Sequence, residues 1–200
     1  LMRKNNIPQL PSLFISDTVP ETLDMLIRNF GFPMVLKIPD GSFSIGVKKA
    51  NNRQELIEFS QDFLKQSALI LVQQFLKTNF DWRIGILDNR PFFACKYFMS
   101  KGHWQIYNHN NEANIDGDSI TLELTEVPQN VLELATDITK LIGQGLYGVD
   151  IKEIDGKAYI VEVNDNPNID GGIEDAILGD DLYSQIIQVF TEQKVRPSFS

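Results

Sequence analysis

Apolar and polar positions along the chain predict short strands alternating with amphipathic helices. Apolar side chains recur at the spacing of one helix face in four segments, at 20–30, 52–66, 128–142 and 182–190. Short apolar or alternating runs that predict strands lie at 34–38, 47–50, 68–76, 82–87, 92–99, 149–154 and 157–164. The chain is therefore expected to combine helices and strands throughout.

One stretch, GVDIKEIDGKAYIVEVNDN at 148–166, carries the most informative pattern. Two alternating runs flank Asp155-Gly156, a strong turn signal, and predict a β-hairpin. A two-residue loop would place Asp150 and Glu162 on opposite faces, whereas a loop of odd length would place them on one face. The odd loop also collects most apolar residues on the other face, with Ile160 as the main exception: Val149, Ile151, Tyr159, Val161 and Val163. We therefore predict an odd-length loop.

This register gathers oxygen-bearing side chains on the polar face, which holds Asp150, Lys152, Glu162 and Asn164. Facing Cβ atoms on neighbouring strands are roughly 5 Å apart, so two carboxylates and an amide oxygen come within reach of one ion. Oxygen donors without His or Cys are typical of Mg²⁺. The solvated face of an amphipathic hairpin would show the same residues, but carboxylates directly across a sheet repel each other and require compensation.

A second candidate site follows the apolar strand MVLKI, which contains Lys37. The next segment, PDGSFSIG, is rich in small residues whose backbone N–H groups can turn onto an anion: Gly41, Ser42, Ser44 and Gly46. It is not the Walker phosphate loop, because the Gly-Lys-Ser/Thr ending is absent and a strand follows. A plain hairpin connector beside a surface lysine would show the same residues, so this motif alone leaves both interpretations open.

The strands predicted near 82–87 and 92–99 carry three polar residues of interest, Asp81, Arg83 and Lys96. An exposed, salt-bridged face would explain them equally well and would contribute little stability. The segment 100–119 is rich in Asn, Gly and Asp and predicts a loop. It contains both histidines, which lack partners at ligand spacing and are not expected to bind a metal.

Composition and charge limit the classes of function and partner that the chain can have. The 200 residues suffice for one domain or two small lobes, and a hydrophobic content of 42% allows a packed core in each. A formal charge of −9 argues against a nucleic-acid partner, although a small polyanion such as ATP is compatible with bound Mg²⁺ and a few cations. No apolar run predicts a membrane span or signal peptide. The single cysteine, Cys95, excludes a disulfide framework and favours a reducing cytoplasm.

Four segments occur in an order that resembles the ATP-grasp ligases, in particular the RimK and glutathione-synthetase branch. They are VLKIPDGSFSIGV, LILVQQFL, DWRIGIL and GVDIKEIDGKAYIVEVNDNP, and the similarity covers nearly the whole chain. The resemblance implies an α+β ATP-grasp fold whose two lobes, 1–76 and 77–200, grip ATP between antiparallel sheets. The first residues, LMRKNNIPQLPS, read as the end of a helix before a Pro-punctuated strand, so we expect a further domain upstream.

The resemblance also assigns nucleotide contacts by position. Lys37 matches a lysine that binds the α- and β-phosphates, and Gly41 through Gly46 match the loop that closes over them. Asp81 matches a residue near the ribose. The adenine edge is implied to meet the backbone of an interlobe connector formed by Gln73, Gln74, Phe75 and Leu76.

By the same resemblance, Asp150, Glu162 and Asn164 match the ligands of Mg²⁺, for which Mn²⁺ can substitute. Arg83 and Lys96 are implied to be catalytic, facing the phosphates or an acyl phosphate. The implied reaction is an ADP-forming ligation of a carboxylate substrate to an amine or amino-acid donor, and a homo-oligomer is compatible with it. Phosphoryl transfer of this kind requires positioning and charge neutralisation rather than a nucleophilic side chain.

Three departures from the family leave alternatives open. A second phosphate-binding lysine and part of the substrate site belong upstream of this chain, and QIYNHNN at 105–111 lacks the arginine found in relatives. Binding of Mg·ATP is therefore a safer expectation than turnover. The alternative is a non-catalytic nucleotide-binding or interaction module. A glycosidase using Asp150 and Glu162 is disfavoured, because aromatic sugar platforms are not apparent near the pair.

Overall fold

A computed structural model describes residues 1–39, 46–100, 104 and 118–195. The chain divides into two compact units, one formed by Leu10–Lys77 and the other by Leu1–Gln9 together with Thr78–Ser200. The lobe bounds expected from the sequence, 1–76 and 77–200, stay a prediction, and residues 1–9 lie in the second unit. These residues belong to the second unit because Ile160 donates its N–H to the Pro8 carbonyl at 3.1 Å.

The first unit is an antiparallel four-stranded sheet with two helices. Its strands are β1 (Ser12–Ile15), β2 (Met34–Lys37), β3 (Val47–Ala50) and β4 (Ile70–Gln74), in the order β1-β4-β2-β3. Helices α1 (Pro20–Phe30) and α2 (Arg53–Leu64) cover one face. The Asn52 side chain caps α2 by accepting the Glu55 N–H at 2.9 Å.

Strand alternation separates a core face from a second face in this sheet. Met34 and Leu36 are fully buried against the helices, whereas Lys37 lies on the opposite face. One prediction is wrong here: Gln73 and Gln74 do not form a connector but complete β4, where they pair with β2.

The second unit is an antiparallel five-stranded sheet with helices α3 (Gln129–Ile142) and α4 (Asp180–Val195). Its strands are β5 (Phe80–Leu87), β6 (Arg90–Phe98), β7 (Ser119–Leu122), β8 (Leu146–Ile154) and β9 (Lys157–Asn164), in the order β7-β6-β5-β8-β9. The strand β7 was not predicted. Short 3-10 helices occur at Arg3–Asn5 and Leu124–Glu126.

Two apolar clusters lie on opposite faces of the five-stranded sheet. Under α3 the buried cluster includes Trp82, Ile84, Val131, Ile138, Val149, Ile151 and Ile160. The opposite face carries a smaller cluster with α4, formed by Leu87, Phe92, Phe93, Cys95, Tyr97 and Leu182. The rest of this second face is polar, and it is the face that positions the candidate site.

The hairpin β8–β9 closes differently from the prediction. Ile154 pairs with Lys157, so the loop contains only Asp155 and Gly156, and the predicted odd-length loop is wrong. Both loop residues have positive φ, 49° and 71°, which is the conformation of a tight two-residue hairpin turn. A β-bulge in β9, and not the loop, brings Asp150 and Glu162 to the same face. Ile151 pairs with Ile160, but Asp150 pairs with Glu162, so β9 has one extra residue between these pairs.

The bulge leaves Val161 as the extra residue and redistributes the faces. Ile160, the exception in the sequence pattern, packs in the core, whereas Tyr159 pairs with Lys152 on the polar face. In the part of the chain that the structure describes, no helix has the length and apolar character needed to cross a membrane.

Candidate metal centre

Asp150 and Glu162 are directly paired across β8 and β9, so their side chains share one face as the sequence predicts. Asn164 lies on the same face, opposite Gly148, and donates from Nδ2 to Asp150 Oδ2 at 3.4 Å. The Glu162 side chain is exposed and that of Asp150 is half-buried. The bulge at Val161 is what brings these two carboxylates together.

Arg83 compensates the paired carboxylates. It lies directly opposite Asp150 on β5, donates from Nε to Asp150 Oδ1, and donates from Nη2 to Asp150 Oδ2 at 3.1 Å. The side chains are only 15% and 20% exposed, so solvent screens this two-point ion pair weakly. Burial alone would lower the pKa of Arg83, but the Asp150 carboxylate raises it, so the guanidinium stays charged.

A glycine creates the space that Arg83 occupies. A Cβ atom at Gly148 would lie 2.8 Å from Pro167 Cβ and 3.2 Å from Arg83 Cδ. Neither distance leaves room for a side chain at position 148. Gly148 therefore lets both the Arg83 stem and the buried Pro167 lie flat over the sheet beside Asp150.

The donor set of this site fits a hard divalent cation. Among the described residues no group of three His, Cys, Asp or Glu side chains could hold a metal, so a cation here depends on two carboxylates and one amide. Each carboxylate oxygen has two acceptor positions, so Asp150 can accept Arg83 and still present lone pairs to an ion. An all-oxygen set suits Mg²⁺ rather than Zn²⁺.

A buried network that sequence reasoning missed lies beside this site. Lys152 donates from Nζ to Asp81 Oδ1 at 2.5 Å and to Thr78 Oγ1 at 2.7 Å, and it is only 9% exposed. Burial raises the pKa of Asp81, while Lys152 and Thr78 act in the opposite direction. The alternation that predicts Asp150 on the polar face also places Lys152 there, but nothing in the sequence predicts its partner.

The structure does not bring Lys96 to Arg83 and Asp150. Lys96 pairs with Trp82, which lies in the cluster under α3, so it projects from the opposite face of the sheet. Its Nζ lies 4.7 Å from the ring centroids of both Phe80 and Trp82, as expected for a cation–π contact.

The remaining predicted residues belong to the first unit. Lys37 ends β2, and its face of the sheet also carries Lys49, which lies 4.9 Å from the Phe75 ring centroid. Gly46 has a φ of 79° and accepts the Ile38 N–H at 3.0 Å, so a left-handed residue closes this hairpin. Leu76 follows β4. The predicted loop residues Gly41, Ser42 and Ser44 lie outside the described residues.

A second feature without a sequence signal is the fully buried carboxylate of Glu174. Its Oε1 accepts the Tyr97 hydroxyl, and its Oε2 accepts the Asp170 N–H at 2.8 Å. The Tyr97 ring centroid lies 5.7 Å from the guanidinium carbon of Arg83. Glu174 therefore contacts Tyr97, whose ring packs against the Arg83 guanidinium of the metal centre.

Comparison with known proteins places these features in a family. The model of the RimK-like ATP-grasp domain matches residues 1–190. A protein of Pseudoalteromonas atlantica named probable alpha-L-glutamate ligase 2 is 30% identical over 182 residues, which are 90% of this chain and 57% of that protein. The corresponding probable alpha-L-glutamate ligase of Vibrio atlanticus is 28% identical with the same coverage. The chain thus spans little more than half the length of these relatives.

Solved structures agree on the fold. D-alanine–D-alanine ligase from Bacillus anthracis complexed with ATP superposes with a TM-score of 0.74 at 18% identity, covering 99% of this chain and 64% of that one. The ATP-grasp ligase PsnB, complexed with Mg, ADP and a variant of its minimal precursor, has a TM-score of 0.65 at 19% identity, with 94% and 56% covered. The match over residues 1–190 and the shared ATP-grasp architecture show that the chain belongs to the RimK-like ATP-grasp domain family.

Proposed function

We propose that this chain binds Mg²⁺ and ATP and is the ligase domain of an ADP-forming carboxylate–amine ligase. The observation that carries the proposal is the direct pairing of Asp150 with Glu162, on one face with Asn164 and beside Arg83. Two like charges directly across a sheet repel each other, and a divalent cation held by both carboxylates would add to the compensation that Arg83 supplies at Asp150. Membership of the RimK-like ATP-grasp family supports ATP as the source of the phosphate ligands.

In this proposal Asp150, Glu162 and Asn164 hold Mg²⁺, and Mn²⁺ suits the same oxygen donors. The ion, when bound, neutralises phosphate charge and so favours attack on the γ-phosphate. The residues of the chain orient the groups around it: Arg83 fixes Asp150 through two N–H bonds, and Lys152 fixes Asp81, the proposed ribose contact. Lys96 has no part in this arrangement because it lies on the opposite face.

The proposed nucleotide contacts of the first unit are Lys37 at the phosphates, the loop from Gly41 to Gly46 over them, and the backbone at Gln73–Leu76 at the adenine. The proposed reaction follows the family scheme. A substrate carboxylate attacks the γ-phosphate and releases ADP, and an amine then attacks the acyl phosphate, forms an amide and releases phosphate. The names of the relatives support an amino acid such as glutamate as one substrate.

Calorimetric titration with ATP and Mg²⁺ tests the binding part of the proposal through Lys37. Replacing Lys37 with Ala should weaken ATP binding by about 1.5–3 kcal/mol, the range of a hydrogen bond to a charged group. Lys48→Ala is the matched control, because Lys48 lies on the helix-covered face of the same sheet, where it pairs with Asp62. Equal affinities of both variants and the wild type would remove Lys37 from the nucleotide site.

A second candidate function is a Mg·ATP-binding module without catalysis. One observation favours it: two N–H groups of Arg83 are engaged by Asp150, although the family scheme directs this cation to the phosphates. Release of ADP by the full-length protein, measured with a panel of amino acids, distinguishes the two candidates. Amino-acid-dependent release supports the ligase, whereas tight ATP binding without release supports the module.

A further inference from the structure

The carboxylate of Glu174 is 0% exposed, yet none of the ion pairs among the described residues includes it. Burying a charge without a salt-bridge partner is unfavourable, so its hydrogen bonds and nearby charges must compensate. Its two oxygens have separate partners, the Tyr97 hydroxyl and the Asp170 N–H. Glu174 therefore holds a strand residue of the sheet and the chain segment before α4 at the same time.

Tyr97 connects Glu174 to the metal centre. Its ring lies over the Arg83 guanidinium, with 5.7 Å between the ring centroid and the guanidinium carbon, within the range of a cation–π contact. Burial and the hydrogen bond to Glu174 raise the pKa of Tyr97, so its hydroxyl remains a donor. Because the hydroxyl is bound to Glu174, the ring has a fixed position against Arg83.

We propose that Glu174 is a positioning residue for the metal centre, acting through Tyr97 and Arg83 to hold the Asp150 carboxylate in place opposite Glu162. The proposal rests on the proposed function, because it treats Asp150 as a ligand of the ion. Partners outside the ligand shell of a metal commonly change its affinity 10–100-fold when they are removed. Glu174 is more remote than such a partner, so we expect an effect near the lower limit.

The segment around Glu174 also has anchors that do not use this carboxylate. The Thr121 hydroxyl donates to the Ile173 carbonyl at 2.5 Å, and Leu182 at the start of α4 is fully buried. The segment should therefore stay docked when the Glu174 charge is removed. A role in folding alone and a role in positioning can then be separated by experiment.

Tyr97→Phe is the most informative variant, because it keeps the ring against Arg83 and removes only the hydroxyl that Glu174 holds. Tyr183→Phe is its matched control: the Tyr183 hydroxyl donates to Asp175 at 2.9 Å, beside Glu174, on the exposed surface. Glu174→Gln removes the charge and leaves one acceptor oxygen for two donors, the Tyr97 hydroxyl and the Asp170 N–H. The double variant Tyr97→Phe/Glu174→Gln tests whether the two residues act as one unit.

The first readout needs no nucleotide. The proton on Arg83 Nε, assigned by its loss in Arg83→Lys, should exchange slowly with water in the wild type because it is bonded to Asp150. Exchange should become several-fold faster in Tyr97→Phe and in Glu174→Gln, and should stay at the wild-type rate in Tyr183→Phe. Wild-type exchange in Tyr97→Phe would overturn the proposal, whatever the variant's thermal stability.

The second readout is the Mg²⁺ concentration that half-saturates ATP binding. It should rise roughly tenfold in Tyr97→Phe and in Glu174→Gln, with no further rise in the double variant and no rise in Tyr183→Phe. An unchanged midpoint in Tyr97→Phe, or independent effects that multiply in the double variant, would overturn the proposal. If the wild type binds no ATP at any Mg²⁺ concentration, the proposed function fails, whereas proton exchange still decides whether Glu174 positions Arg83.

Discussion

The hairpins β5–β6 and β8–β9 belong to one sheet and are built with the same backbone devices. Each closes with a two-residue turn of positive φ, Asp88-Asn89 in one and Asp155-Gly156 in the other. Each contains one bulge, which leaves Phe92 extra in β6 and Val161 extra in β9. Each also contributes a glycine to the same row of the sheet, because Gly85 pairs with Gly148.

The two hairpins differ in the side chains that pack at their bulges and over their paired glycines. The bulge in β6 places Phe92 and Phe93 in the apolar cluster with α4, and the Phe93 ring fills the space over Gly85. The bulge in β9 instead places Glu162 opposite Asp150, and Arg83 and Pro167 fill the space over Gly148. The same geometry therefore supports packing in one hairpin and a charged site in the other. The side chains at the bulge decide whether the hairpin packs against a helix or carries a charged site.

The largest expected effect on stability is in the hairpin β5–β6, whose bulge packs against α4. Phe93 is 3% exposed, and Phe93→Ala should lower the free energy of unfolding by about 3–5 kcal/mol, the usual cost of deleting a buried aromatic ring. Urea denaturation measures this. The variant should still bind Mg·ATP under conditions where it is folded, because Phe93 belongs to the apolar cluster with α4 and is not one of the proposed metal ligands. A loss below about 1 kcal/mol would contradict the assigned role.

The paired glycines should respond differently to the same added methyl group. At Gly85 a Cβ atom would lie 2.3 Å from the Phe93 ring, so Gly85→Ala should cost about 1–3 kcal/mol of stability through overpacking. Gly148→Ala should push aside Arg83 or Pro167 and raise the Mg²⁺ concentration needed for ATP binding. Denaturation and metal titration of both variants test this contrast. Equal effects of Gly85→Ala and Gly148→Ala on the Mg²⁺ dependence of ATP binding would contradict it.

A smaller effect is expected at the turn of the charged hairpin. Gly156 has a φ of 71° with no heavy atom within 4 Å of an added Cβ, so Gly156→Ala should cost about 1–2 kcal/mol from backbone strain alone. Gly171→Ala is the control, because this residue has equally open surroundings without a positive φ. Thermal unfolding compares them, and equal midpoints would contradict the strain.

The sequence predicts the shared face of Asp150 and Glu162 but not the way it arises. Alternation and the Asp-Gly turn indicate a hairpin, and parity then requires one irregular residue somewhere between the two acids. Sequence reasoning placed that residue in the loop, whereas the structure has a bulge at Val161. A bulge leaves no mark on the side-chain pattern, except that Ile160 becomes an apparent exception.

Other parts of the site follow from contacts between distant segments, which alternation cannot supply. The face of Lys96 depends on its register with Trp82, set by the bulge in β6 and the turn before it. Glu174 follows a Gly- and Asp-rich stretch that predicts a turn, yet it is fully buried and accepts the Tyr97 hydroxyl. The helices α1, α2 and α3, which depend on local periodicity, lie close to where the sequence predicts them.

The central claim is that Asp150 and Glu162 hold a divalent cation that ATP requires, and a Mg²⁺ titration of ATP binding tests it most directly. Glu162→Gln should raise the half-saturating Mg²⁺ concentration at least about tenfold, since losing a ligand should exceed losing an outer partner. Glu153→Gln is the control on the same hairpin, because Glu153 lies on the opposite face and accepts the Trp82 indole N–H at 3.1 Å. An unchanged midpoint in Glu162→Gln, or an equal shift in Glu153→Gln, would contradict the account.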